Sequence, residues 1–217
     1  TALMTAARTG KADAVKVLLV HGANANAEEG QGQTALMWAA AEGNTAAMTM
    51  LLEFGANIHA ASKGGFTPLL FAIREGRADS ARALLKAGAS PNEVMARPKR
   101  SDLRTTRTSI AGTSALLLAV ANAHFELASA LLDAGADPNL NGRGWTALHE
   151  ITWVRKSGGG SNDPSPIGSG SVDSLELVKK LVAHGANVNA TMTKRWTGGY
   201  TGLNMIGATP FMMAART

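Results

Sequence analysis

Five times along the chain an apolar trio recurs at i, i+3 and i+4. The trios are Val15, Leu18 and Leu19; Met48, Leu51 and Leu52; Ala81, Leu84 and Leu85; Ala128, Leu131 and Leu132; and Val178, Leu181 and Val182. That spacing places each trio on one face of a helix. Gly-Ala follows every trio, at Gly22, Gly55, Gly88, Gly135 and Gly185, and glycine there can take the left-handed conformation that closes a helix. Short polar residues come next, such as Asn24 and Asn26 or Asp137 and Asn139, and they suit a turn.

A second kind of segment precedes each trio. Thr1, Thr34 and Thr67 stand 33 apart, and each opens a stretch that ends in glycine, at Gly10, Gly43 and Gly76. A threonine so placed can cap a helix by accepting from an exposed backbone N–H. Pro68 and Pro210 follow their threonines at the first helical position, where proline is tolerated. The predicted unit is helix, turn, helix, extended turn. Its start returns at Ser114, Thr146 and Thr209, so the chain reads as four full and two partial units. Stacked units of this kind share one continuous core, and a single array over residues 1–217 is expected. Because Thr1 and Thr217 both fall inside a unit, the chain is expected to be a fragment of a longer one.

Three insertions interrupt the pattern, near 92–110, 156–172 and 191–206. The first and third lie between units. The second joins the two helices of one unit and is rich in Gly and Ser, as a flexible linker-like loop would be. Insertions of this kind map to loops and often to a binding side.

The unit resembles the ankyrin-repeat family, whose pattern reads Gly-x-Thr-Pro-Leu-His-x-Ala-Ala … Leu-Leu-x-x-Gly-Ala-x-x-Asn. Gly32 to Gly43, Gly65 to Gly76 and Gly144 to His149 carry it most clearly. The departures are local. The histidine survives only at His149, His59 stands in an asparagine position, and Ala123 stands where glycine closes the first helix. The resemblance implies an all-α solenoid of stacked helix-turn-helix units with β-hairpin-like finger loops. It also implies a non-catalytic protein–protein interaction scaffold that binds through its concave groove and fingers. The long inserts and the style of the repeat are similar to bacterial ankyrin proteins, many of them exported, which implies a periplasmic or extracellular place.

Composition narrows the chemistry. The absence of cysteine removes disulfides, thiolate nucleophiles and zinc–thiolate sites. No apolar run approaches the roughly 18–20 residues that span a bilayer. The five histidines form no ligand pair at helical spacing, and no nucleophile elbow, phosphate loop or His-Glu-x-x-His pattern occurs. No catalytic residue, metal site or cofactor is expected.

The net charge of +5 mildly favours anionic partners. The first insertion concentrates that charge, with Arg97, Lys99, Arg100, Arg104 and Arg107 against Glu93 and Asp102. Arginine forks suit carboxylates or phosphates, so an acidic protein partner fits, unless the insert is simply a solvated polar loop. Nucleic acid fits less well, because no aromatics are interleaved for stacking. The third insertion brings Lys194, Arg195, Trp196 and Tyr200, and Trp145 and Trp153 lie near a finger and a groove. Aromatics and arginines are the types enriched at interface hot spots. The partner contacts expected are therefore Arg97, Arg100, Arg104, Trp145, Trp153, Lys194, Arg195, Trp196 and Tyr200. The alternative for Trp145 and Trp196 is that they fold back and pack the long loops down; Trp38 reads as half-buried packing.

Two other functions stay open. Solenoid ends are stacking surfaces, and contacts that do not close build filaments, so structural self-association is one. The other is a binding module of a larger enzyme whose catalytic domain lies outside these residues.

Overall fold

The computed structural model describes residues 1–96, 111–154, 170–194 and 205–215. Eleven α-helices occur among them, in two compact units: Thr1–Ala111 and Gly112–Thr217. The first unit holds α1 (Ala2–Arg8), α2 (Ala12–Val20), α3 (Ala35–Glu42), α4 (Thr45–Glu53), α5 (Pro68–Arg74) and α6 (Ala78–Lys86). The second holds α7 (Ala115–Ala121), α8 (Phe125–Asp133), α9 (Ala147–Val154), α10 (Ser174–Ala183) and α11 (Pro210–Ala215). None of the described helices is long and apolar enough to cross a membrane.

The first four repeats open on a hydroxyl cap. Thr1, Thr34, Thr67 and Ser114 accept from the backbone N–H of Met4, Met37, Leu70 and Leu117 through their side chains. Pro68 occupies the first turn of α5, where no N–H partner is lost. The first helix then closes on a left-handed residue: Gly10, Gly43 and Gly76 have φ of 71°, 87° and 65°. The next N–H reaches back to the helix, Lys11 to Ala6 O at 3.1 Å, Asn44 to Ala39 O at 2.9 Å and Arg77 to Ala72 O at 2.8 Å. Ala123 holds the same place in the second unit with φ 56°, and His124 N–H reaches Ala119 O at 2.9 Å.

In the first unit α1, α3 and α5 pack in one row, and α2, α4 and α6 in another. Ala7, Ala39, Ala40 and Ala72 are fully buried, and such small side chains let neighbouring first helices approach closely. Leu36, Met37, Leu69, Leu70 and Ile73 fill the space beside them, with Met48, Leu51 and Leu84 from the second helices. Each such side chain contributes roughly 1.5–3 kcal/mol when fully buried.

Polar links tie each repeat to the next. Asn44, at the start of α4, donates to both Ala7 O and Arg8 O at 2.9 Å, covering carbonyls at the end of α1. Arg77 repeats the contact one unit on, Nε to Ala41 O at 3.0 Å. The loops between repeats close as turns, with Glu29 N–H to Gln33 O and Ser62 N–H to Phe66 O, and Lys63 N–H joins the two at Gln31 O, 2.9 Å.

In the second unit α7 packs on α9 and α9 on α11, while α10 packs on α8 and α9. Asp173 caps α10 in a capping box with Glu176. The base of the third insertion is a paired rung: Met192 N–H donates to Ala208 O at 2.9 Å, and Gly207 N–H to Met192 O at 2.8 Å. Leu117, Trp145, Met192, Met205 and Met213 form the core beneath it.

Candidate functional site

The surface positions that vary while the frame stays fixed are found by following one slot along the first helices. Four residues after the capping threonine, the first unit places Thr5, Trp38 and Phe71; three residues further come Arg8, Ala41 and Arg74. Thr5 and Arg8 are exposed and Trp38 is half-buried. The Arg8 guanidinium lies 5.6 Å from the centroid of the Trp38 ring. The Arg74 guanidinium lies 4.9 Å from both Phe66 and Phe71, whose rings are 5.2 Å apart. These are cation–π distances, worth about 0.5–1 kcal/mol each at exposed sites. Arg74 also donates from Nε to Glu75 at 2.7 Å.

The second unit uses the same slot differently. There Glu150 is buried, and it accepts from the Trp145 indole N–H at 2.5 Å. Burial pushes its carboxyl above the usual glutamate range, and the indole bond and nearby Arg143 offset only part of that. Arg143 sits 4.6 Å from the Trp145 ring. Beside it His149 is fully buried. Thr146 N–H points at its Nδ1 at 3.2 Å, which fixes Nδ1 as an acceptor. Nε2 therefore carries the proton and donates to Ala208 O at 3.2 Å. Burial lowers this histidine's pKa, against the pull of the Ala208 and Ala190 carbonyls. A neutral imidazole bonded at both nitrogens organises the helix start and is not poised for proton transfer.

The residues expected to make partner contacts divide as follows. Trp145 is corrected: it is 5% exposed, because Glu150 takes its N–H and Met192, Met205 and Met213 close round its ring. It packs against the base of the third insertion at Met192 and Met205 and presents no open face. Trp153 is half-buried and lies against the same core. Lys194 is exposed, with Nζ donating to Gly142 O at 2.9 Å, so it holds the preceding finger. Arg97, Arg100, Arg104, Arg195, Trp196 and Tyr200 lie outside the described residues.

Sequence reasoning passed over Arg8, Arg74 and Glu150. Aligning the repeats on their threonines would have shown arginine three times in one slot, at Arg8, Arg74 and Arg216, and a lone acid in a slot otherwise apolar or hydroxylic. Among the described residues no group of His, Asp and Glu could hold a metal ion.

A family model described as ankyrin repeats in three copies matches residues 3–95, and one described as ankyrin repeat matches residues 111–142. Together they cover more than half of the chain. No curated protein matches the chain. The capped helix pairs, the left-handed closures and these matches agree, and the chain belongs to the ankyrin-repeat family.

Proposed function

We infer that this chain is a protein–protein interaction module, as ankyrin repeats generally are. We propose that this chain is a non-catalytic scaffold that binds a protein partner through the first-helix face and the finger loops. One observation carries the reading: Arg8, Trp38 and Arg74 present cation and aromatic groups on a row of helices whose own caps and carbonyls are already satisfied. Side chains of these types, on a frame that does not need them for its hydrogen bonds, are those enriched at interface centres. In the second unit the exposed Lys194 is a separate candidate contact, and the arginines and aromatics of the first and third insertions are further ones.

Affinity capture with the 217-residue chain, followed by hydrogen-exchange mapping of the complex, tests the reading. Protection is expected along α1, α3 and α5 and at the turns Glu29–Gln33 and Ser62–Phe66. Protection confined to the outer faces of α2, α4 and α6 would remove it.

Self-association is a second reading, favoured by the exposed Phe211 and Met212 on α11 and Val17 and Val20 on α2. Sedimentation velocity across a concentration series separates the two, since a scaffold of the first kind stays monomeric without its partner.

A further inference from the structure

Arg8 and Arg74 occupy the same slot of their repeats, yet only one has a counter-ion. Arg74 is followed by Glu75, and the two form an ion pair at 2.7 Å. Arg8 is followed by Thr9, whose hydroxyl is spent on its own helix, donating to Thr5 O at 2.9 Å and Ala6 O at 3.2 Å. Among the described residues no carboxylate lies within ion-pair distance of Arg8, and none accepts from its guanidinium. Its contact is with the Trp38 ring, which leaves the N–H fork to solvent. A guanidinium held over an indole is pre-oriented, so less side-chain entropy is lost when the fork is engaged.

The surroundings select the ligand. Trp38 and Ala41 are half-buried and offer an apolar platform beside Arg8. Glu42 is exposed at the end of the same helix, and Glu75 closes the next. A polyanion laid along this row would meet Glu42, whereas a single carboxylate at Arg8 avoids it. We propose that Arg8 and Trp38 form a subsite for one acidic residue of a partner protein. The Asp or Glu carboxylate accepts from the Arg8 fork, and the adjoining apolar side chain of the same segment rests on Trp38. The exposed Glu42 keeps the next position of that segment neutral or basic. The proposal rests on the protein-binding reading above and names its chemistry.

The test is selection of a random linear-peptide library on the 217-residue chain, with binding of the enriched peptides then measured on Arg8→Gln and Thr9→Glu. Thr9→Glu leaves Arg8 in place and gives it the internal counter-ion that Glu75 gives Arg74. Both positions are exposed, and helix content by circular dichroism should be unchanged. Enriched sequences should carry Asp or Glu beside an aliphatic or aromatic residue. Their affinity should fall about ten-fold or more on either substitution, as expected for a charge-assisted hydrogen bond, and weaken with added salt. Peptides without acids, or acidic peptides that bind both variants as well as the parent, would overturn the subsite while leaving a scaffold that binds elsewhere. Failure to enrich any peptide would remove both. A single-stranded DNA oligonucleotide that binds more tightly than the peptides, and is lost on Arg8→Gln, would replace the carboxylate with phosphate.

Discussion

His59 Nδ1 lies 3.9 Å from Glu93 Oε1, at a joint between repeats that asparagine makes elsewhere. Asn26 donates to Gly55 O at 2.9 Å and accepts Asn57 N–H at 2.7 Å. Asn139 does the same with Gly185 O and Asn187 N–H, at 2.9 and 2.8 Å. His59 stands in that slot and faces Glu93, whose carboxylate is buried and accepts from the Thr67 hydroxyl. The asparagine staple is thus replaced at this joint by a contact between His59 and the next repeat's acid.

Deleting that acid should uncover the exchange. Glu93→Ala strands the Thr67 hydroxyl, removes the His59 contact and should cost about 1–3 kcal/mol. Adding His59→Asn should recover about 1 kcal/mol, because asparagine can again reach both Ser90 N–H and Gly88 O. His59→Asn alone should change less, because it gains the staple but gives up the His59–Glu93 contact. Urea unfolding of the four proteins in a double-mutant cycle measures the coupling, and strictly additive effects would contradict the exchange.

The buried ionisable groups give the fold a pH dependence with two opposed parts. Glu93 and Glu150 are both raised above 4.5, each chiefly by burial. A raised carboxyl favours the folded state fully at low pH, and that contribution is lost as pH climbs from 4.5 through the folded value. His149 is lowered below 6.5, again chiefly by burial. Its contribution is complete above 6.5 and is lost as pH falls towards the folded value. Glu150→Gln keeps an acceptor for the Trp145 indole but cannot ionise. Its stability relative to wild type should therefore rise as pH increases from 4.5 and then level off. Thermal unfolding of both proteins from pH 4 to pH 8 checks this, and a difference that does not change with pH would show that Glu150 ionises without cost.

Where the structure follows from local chemistry, the residues announce it. Thr34, Gly43 and Gly55 act through their own backbone surroundings, and each recurs at fixed spacing, so caps, closures and the apolar trios are readable without coordinates. Trp145 is different. Its position beside a finger suggests exposure, but besides the nearby Glu150 its burial depends on Met192, Met205 and Met213, which the fold gathers from distant parts of the chain. Arg8 lies between the two cases. The missing acid at Thr9 is visible by comparison with Glu75, whereas the indole beneath the guanidinium is not.

Ala123 shows how far a substitution can depart from the repeat at little cost. It is fully buried with φ 56°, in the slot where Gly43 has φ 87°. A left-handed L-residue costs roughly 1–2 kcal/mol, which glycine would relieve. Glycine would also restore about 0.4–1 kcal/mol of unfolded-chain entropy and forfeit a buried methyl worth about 0.8 kcal/mol. These terms nearly cancel, so Ala123→Gly should shift stability by no more than about 0.5 kcal/mol. The reverse change is not its mirror. Gly43 is only half-buried, and a Cβ there would meet the flexible Arg77 side chain at 3.4 Å, so little packing is gained against the strain. Gly43→Ala should destabilise by about 0.5–1 kcal/mol. Urea unfolding midpoints of the two variants separate the cases: equal and opposite shifts would mean that backbone strain alone sets both, with no contribution from the buried methyl of Ala123.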